Sequence, residues 1–272
     1  MADLLIHSMA EFEPLLTGVL TIAGAANLVE IGAEFGGTTP IFAAHAAAMG
    51  GSLTSIDPSP KREFLDWLAG HPHVRHVAAL SLEAIEAMQG VDAWIVDGDH
   101  NWYTVYHELE AIDRVCRRDG KPMLVLLHDV AWPCARRDFY YAPGRIPAEF
   151  RHPYDYDGGA VPGRAELVLG GGFRGMGHFA WAVREGGPRN GVLTAIEDFK
   201  AESERDLAFA EVPAVFGLGI LFDADAPWGE ALGRALLPYH KHPLIAALEQ
   251  NRLANYLRVI ELQDAMAAKA AA

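Results

Sequence analysis

Two short runs hold the residues best suited to chemistry: Val96-Asp97-Gly98-Asp99-His100 and Leu127-His128-Asp129. Each follows a compact apolar stretch, Ala93–Val96 and Met123–Leu127, which reads as a buried strand. Loops that leave neighbouring parallel strands emerge on one side of the sheet, the side where ligands bind, so Asp97 and Asp129 are expected to converge there. Carboxylates brought together without a cation repel, and one pKa rises. A divalent metal removes that penalty. Oxygen ligands with open positions suit Mg²⁺, and such an ion acidifies a bound hydroxyl. His100 stands three residues beyond Asp97, and its imidazole suits proton acceptance near neutral pH. The competing reading is structural: acids that cap loops, and a His100 satisfied at a helix N-terminus.

A second constellation lies earlier, in Val29-Glu30-Ile31-Gly32-Ala33-Glu34-Phe35-Gly36-Gly37-Thr38-Thr39, between a strand and an Ala-rich helix. Glycines such as Gly32 and Gly36 let a ligand approach the backbone, and a carboxylate, Asp57, ends the next strand at the distance suited to a ribose diol. The plainer alternative is a tight turn with a surface Asp. The spacing Gly32-x-x-x-Gly36-Gly37 departs from G-x-G-x-x-G and lacks the G-K-[ST] of a P-loop. Glu30 and Glu34 would repel a pyrophosphate but tolerate a cationic sulfonium, which favours S-adenosylmethionine (SAM) over NAD. The run Gly170-Gly171-Gly172-Phe173-Arg174-Gly175 fits G-x-G-x-x-G on spacing, but no acid caps a following strand. It reads as a flexible loop.

These residues need a scaffold, and the alternation of short β-branched runs with helical stretches predicts one. Helical spacing at 11–24, 39–49, 63–69, 82–89 and 103–117 alternates with strand-like runs at 28–31, 52–57, 74–79, 93–96 and 123–127. A helix at 192–202 and strand runs at 207–212 and 215–222 around Pro213 follow. The expected fold is α/β, a Rossmann-like doubly wound, mostly parallel seven-stranded sheet with a C-terminal antiparallel hairpin. One domain spans 1–272. Residues 131–178, rich in proline, glycine and aromatics without periodicity, form a lid or substrate segment. The tail 243–271 is helical, packed on the core or serving as a homodimer contact.

Composition narrows the function. A net charge of −14 argues against coating nucleic acid. No stretch of about 18 uncharged apolar residues appears, so a membrane span is not expected. The N-terminus carries Asp3, Glu11 and Glu13 rather than a basic n-region, unlike a signal peptide. Two cysteines, Cys116 and Cys134, make no disulfide scaffold, and a reducing cytoplasm is the expected compartment.

Glu30-Ile31-Gly32 with its following glycines resembles the first motif of class I SAM-dependent methyltransferases, and Asp57 matches their ribose-binding acid. The resemblance covers about residues 1–222. It implies that Glu30 lies near the methionine end of SAM and that Ser81 and Leu82, after the third strand, border adenine. Asp97, Gly98 and His100 match the D-G-x-H motif of metal-dependent small-molecule O-methyltransferases, the group with macrolide-sugar methyltransferases and cephalosporin-hydroxylase-like proteins. That implies Asp97 at both cofactor and metal, and His128-Asp129 as the second ligand pair. His128 departs from the oxygen ligand usual there, which shifts preference towards Fe, Mn or Zn. The implied reaction is methyl transfer from SAM to a hydroxyl of a small molecule, with His100 taking the proton. Two other readings stay open: an NAD-dependent oxidoreductase, and a SAM-binding protein without chemistry. The segment Trp132–Tyr141, with Arg136 and Arg137, suits an acidic or aromatic acceptor.

Overall fold

The computed structural model describes residues 7–271, with side chains through Lys269. Asp3, one of the N-terminal acids weighed against a signal peptide, lies outside them. The central sheet has seven strands: β1 (Asn27–Ile31), β2 (Ser52–Ile56), β3 (Val74–Val77), β4 (Ala93–Val96), β5 (Leu124–His128), β6 (Leu207–Val212) and β7 (Leu218–Asp223). Their order across the sheet is β6-β7-β5-β4-β1-β2-β3. β1 to β5 pair in parallel, whereas β7 is antiparallel to both β5 and β6, so β7 alone runs against the other six. The α/β, mostly parallel seven-stranded sheet with a closing hairpin is therefore the observed fold.

The helices are α1 (Glu13–Ala23), α2 (Thr39–Ala48), α3 (Arg62–Ala69), α4 (Ser81–Ala84), α5 (Trp102–Asp119), α6 (Val192–Glu202), α7 (Gly229–Leu236) and α8 (Pro243–Ala271). Strand periodicity assigns each side chain to a layer. Val29, Ile31, Trp94, Val96, Val125 and Leu127 join α5 and α6 in one core, while Leu28, Ala93, Ile95, Leu124 and Leu126 join α1 and α2 in the other. β4 and β5 are buried at every position, as expected of central parallel strands covered on both faces. Helix ends are set locally: Asn101 accepts from the Thr104 amide at the start of α5, and Gly120 closes it with φ 63°.

The region expected as a lid or substrate segment at 131–178 is part of a lobe that spans residues 131–191. Short antiparallel strands order them: Phe139–Tyr140 and Tyr154–Asp155 flank Ala180–Ala182, and Gly158–Gly159 pairs with Val168–Leu169. Buried polar groups hold this lobe together. Arg137, fully buried, donates to the Ala182 and Ala165 carbonyls at 2.6 and 2.7 Å. Asp138, also fully buried, accepts from the Trp102 amide, the Gly191 amide and the Tyr140 hydroxyl, each at 2.7 Å. One carboxylate thus ties the lobe to the amide ends of α5 and α6, whose first N–H groups lack helical partners. The Gly170–Gly175 run is part of the same lobe, with Phe173 bridging Ala160. Among the described residues no helix is long and apolar enough to cross a membrane.

Asp138→Ala strands three buried donors at once, and urea denaturation should show a loss of about 2–4 kcal/mol. A loss below about 1 kcal/mol would mean that water or repacking replaces the carboxylate.

Candidate active site

The carboxyl ends of β1, β2, β4 and β5 open into one cavity of about 590 Å³. Its first wall is the turn after β1. Gly32 has φ 90°, and a Cβ placed there would sit 2.2 Å from the Asp97 carbonyl oxygen. Only glycine lets the turns after β1 and β4 touch in this way. Asp57 fixes the same turn from the β2 side: its Oδ2 accepts from the Ala33 and Glu34 amides at 2.9 Å each, and its Oδ1 accepts from Ser59 at 2.7 Å. With those bonds made, Oδ1 keeps one acceptor position free.

Glu30 is placed differently from its neighbours. It is 1% exposed and absent from the cavity wall, because strand alternation sends it to the same face as Leu28, towards α2. There the Thr39 hydroxyl donates to it at 2.9 Å and the Ser55 hydroxyl at 2.8 Å. Burial pushes its pKa up to about 7, partly opposed by those two hydroxyls. Glu30 therefore braces the N-terminus of α2 from behind the glycine turn. Gly36 (φ 77°) also lies off the wall, packed on Phe64, while Gly37 lines it. Ser81 and Leu82 line the opposite side.

At the other end, Asp97, His100, His128 and Asp129 all line the cavity. His128 Nδ1 lies 3.2 Å from Asp97 and 3.3 Å from Asp129, and His100 Nδ1 lies 3.3 Å from Asp129. The second nitrogen of His128 is 2.8 Å from the Val215 carbonyl. A carbonyl only accepts, so Nε2 carries a hydrogen and Nδ1 turns to the two carboxylates. Burial works against a charge on His128, but Asp97 and Asp129 outweigh it and hold its pKa well above the usual value. Burial likewise raises Asp129, yet His100 and His128 hold its carboxyl well below the usual carboxylate range. Asp129 sits at φ 60°, a left-handed conformation uncommon for a side-chain-bearing residue and typical of functional sites. Donor atoms of Asp97, His100 and Asp129 lie within 4.8 Å of one another, close enough to share one cation. The set that meets this criterion thus contains His100 in place of His128.

The acceptor-side expectation for Trp132–Tyr141 is corrected in part. Arg136 is paired with Glu197 and Arg137 is buried in the lobe, so neither guanidinium reaches the cavity. Tyr140, Tyr141 and Arg145 line it instead, with His7 from the N-terminal side. Tyr141 and Arg145 lie in or beside an aperiodic stretch, which left no sequence signal beyond their position after Asp129. His178 lies away from the wall.

Beneath Ser81, on α5, Glu108 is fully buried, and no hydrogen bond of good geometry reaches either oxygen. Burial raises its pKa to about 8, only partly offset by the Ser81 hydroxyl. The folded protein therefore keeps a proton that the unfolded chain releases near the ordinary value, and stability falls as pH rises from about 4.5 to 8. Glu108→Gln removes that slope, so its melting temperature should gain on the parent more at pH 8.5 than at pH 5. The free-energy difference is at most about 5 kcal/mol. Equal gains at both pH values would show that Glu108 is charged in the fold.

Residues 29–130 match the sequence family described as a methyltransferase domain. No curated protein matches the chain. Among solved structures it is similar to an O-methyltransferase from Bacillus cereus in complex with SAH, with 14% identity over 82% of this chain and 85% of that one and a TM-score of 0.48. It is also similar to a SAH-bound methyltransferase from Podospora anserina (13% identity, 83% of each chain, TM-score 0.47) and a methyltransferase from Geobacter sulfurreducens (11% identity, 80% and 82%, TM-score 0.44). The matched segment carries β1 to β5, the glycine turn, Asp57 and both acid clusters, set in a Rossmann-like, mostly parallel seven-stranded sheet.

Proposed function

We propose that this cavity binds SAM and directs its methyl group to a hydroxyl of a small-molecule acceptor. The observation that carries the reading is the cavity's charge. Glu34, Asp57, Glu83, Asp97, Asp99 and Asp129 line it, against Lys61 and Arg145 as the fixed cations. Such a wall attracts a sulfonium and opposes a diphosphate, which disfavours NAD. Gly32 and Asp57 cradle the ribose side, Ser81 and Leu82 border the base, and Asp97 faces the reacting end.

Asp97, His100 and Asp129 fit a divalent cation in donor type and spacing. When bound, such an ion lowers the pKa of an acceptor hydroxyl and orients it. The chain's own residues supply the rest. Asp129 orients His100, whose imidazole accepts the hydroxyl proton when it is not itself a ligand. Tyr140, Tyr141 and the lobe shield the reaction from water. The participation of His100 in the donor cluster favours a second reading, in which His100 ligates and the ion alone acidifies the hydroxyl.

Calorimetry should show micromolar SAM binding and none for NADH. Asp57→Ala should weaken it about tenfold or more, through the lost charged acceptor and the loosened turn. Binding of NADH in place of SAM defeats the assignment. Methyl transfer should fall on chelation and return with Mg²⁺, Mn²⁺ or Fe²⁺. Indifference to chelator, with loss of turnover in His100→Ala, selects the proton-acceptor role. We further place the protein in the cytoplasm as one domain, with α8 as the face available to a second copy, a state that sedimentation measures directly.

A further inference from the structure

Helix α8 follows the βα core, yet it grips the chemical end of the cavity through one residue. The loop after β5 and the connection before β7 are joined side by side. Ala131 donates to the Phe216 carbonyl at 2.7 Å, Val130 to the Gly217 carbonyl at 3.4 Å, and His128 Nε2 to the Val215 carbonyl at 2.8 Å. Val215, Phe216 and Gly217 have φ of 45°, 63° and 93°, three left-handed residues in succession. For a β-branched valine that conformation is strongly unfavourable, so the surroundings must impose it. Gly217 admits no side chain here, because a Cβ would lie 2.5 Å from the Ala131 nitrogen.

One group in contact with this turn is Glu249 of α8, only 8% exposed. Its Oε1 accepts from the Phe216 amide at 3.1 Å, and Arg252 holds both of its oxygens at 2.6 Å. The Arg252 guanidinium lies 5.5 Å from the centre of the Phe216 ring. Further along, Tyr256 packs on Phe173 and Asp264 pairs with Arg174, so α8 is anchored at two more points beyond this contact. We propose that Glu249 is a positioning residue for methyl transfer: by clamping the Val215–Gly217 turn it holds the Val215 carbonyl against His128 Nε2, and so fixes which nitrogen faces Asp97 and Asp129. The consequence for turnover rests on the function proposed above, whereas the clamp itself is a matter of geometry.

The test uses the full chain and two variants, Glu249→Ala and Glu249→Gln. Glutamine keeps an oxygen for the Phe216 amide, and alanine does not. In the parent, His128 should show a slowly exchanging Nε2–H signal in ring proton–nitrogen correlation spectra, assigned by its disappearance in His128→Asn. Glu249→Ala should lose that protection and Glu249→Gln retain it. With an acceptor in hand, Glu249→Ala should lower kcat about 10–100-fold, as loss of groups supporting a site's ligands does, while KM for SAM stays put and Glu249→Gln restores turnover. The proposal is overturned if the alanine variant keeps the protected Nε2–H, or if kcat and SAM binding fall together in proportion to unfolded protein. A parent that transfers no methyl group refutes the proposed function instead, and the imidazole signal still decides the clamp.

Discussion

Gly32 and Asp97 meet backbone to backbone, and the site takes its shape from that contact. A methyl group added to Gly32 would overlap the Asp97 carbonyl and lie 2.7 Å from the Gly98 Cα. The Asp97 amide in turn donates to the Ile31 carbonyl at 2.9 Å. The turns after β1 and β4 are therefore joined as one unit, not two loops that drift independently. The methyl transfer proposed for this cavity needs its reacting atoms aligned to within fractions of an ångström, and a shared backbone junction provides that alignment better than side-chain contacts between separate loops.

Around that junction the chain concentrates negative charge. Repulsion is contained in two ways. At the floor, Glu30 and Glu108 are so well buried that their pKa values rise to about 7 and about 8, and they carry protons for much of the neutral range. At the chemical end, His100 and His128 interleave with Asp97 and Asp129, and Asp129 stays ionised. The result is a wall whose remaining charge points inward, where a cationic ligand gains from it. Neutralisation by burial at the floor and by imidazole at the mouth are different solutions to one problem.

The sheet was legible because central parallel strands are aliphatic runs whose length and flanking glycines and prolines mark them clearly. Asp57, Asp97 and Asp129 were legible as candidates because each ends such a run, and strand ends share a side of the sheet. Glu30 reads as a wall residue if only its place in the motif is considered. Its period-two partner Leu28 faces α2, and that alternation was the available signal for its burial. The lobe at 131–191 could not be read. Its strands are two or three residues long, and the groups that hold it, Arg137, Asp138 and Asn190, are polar residues whose burial follows from contacts distant in sequence. Tyr141 and Arg145 reach the cavity through that same tertiary arrangement, and His7 comes from the N-terminal side.

The reversed strand explains how a segment so late in the chain comes to serve the site. A parallel strand is entered from the edge opposite the ligands and left beside them. β7 runs the other way, so it begins at the ligand edge, with Leu218 paired to His128. The connection that enters it must then pass beside the end of β5, and it arrives with its carbonyls facing a histidine that needs an acceptor. Reversal also forces a sharp bend, which accounts for left-handed residues at Val215, Phe216 and Gly217 in place of the extended run expected from 215. Strain at the bend and order at His128 are thus two consequences of one strand direction. A sheet closed by a parallel seventh strand would avoid the first and lack the second.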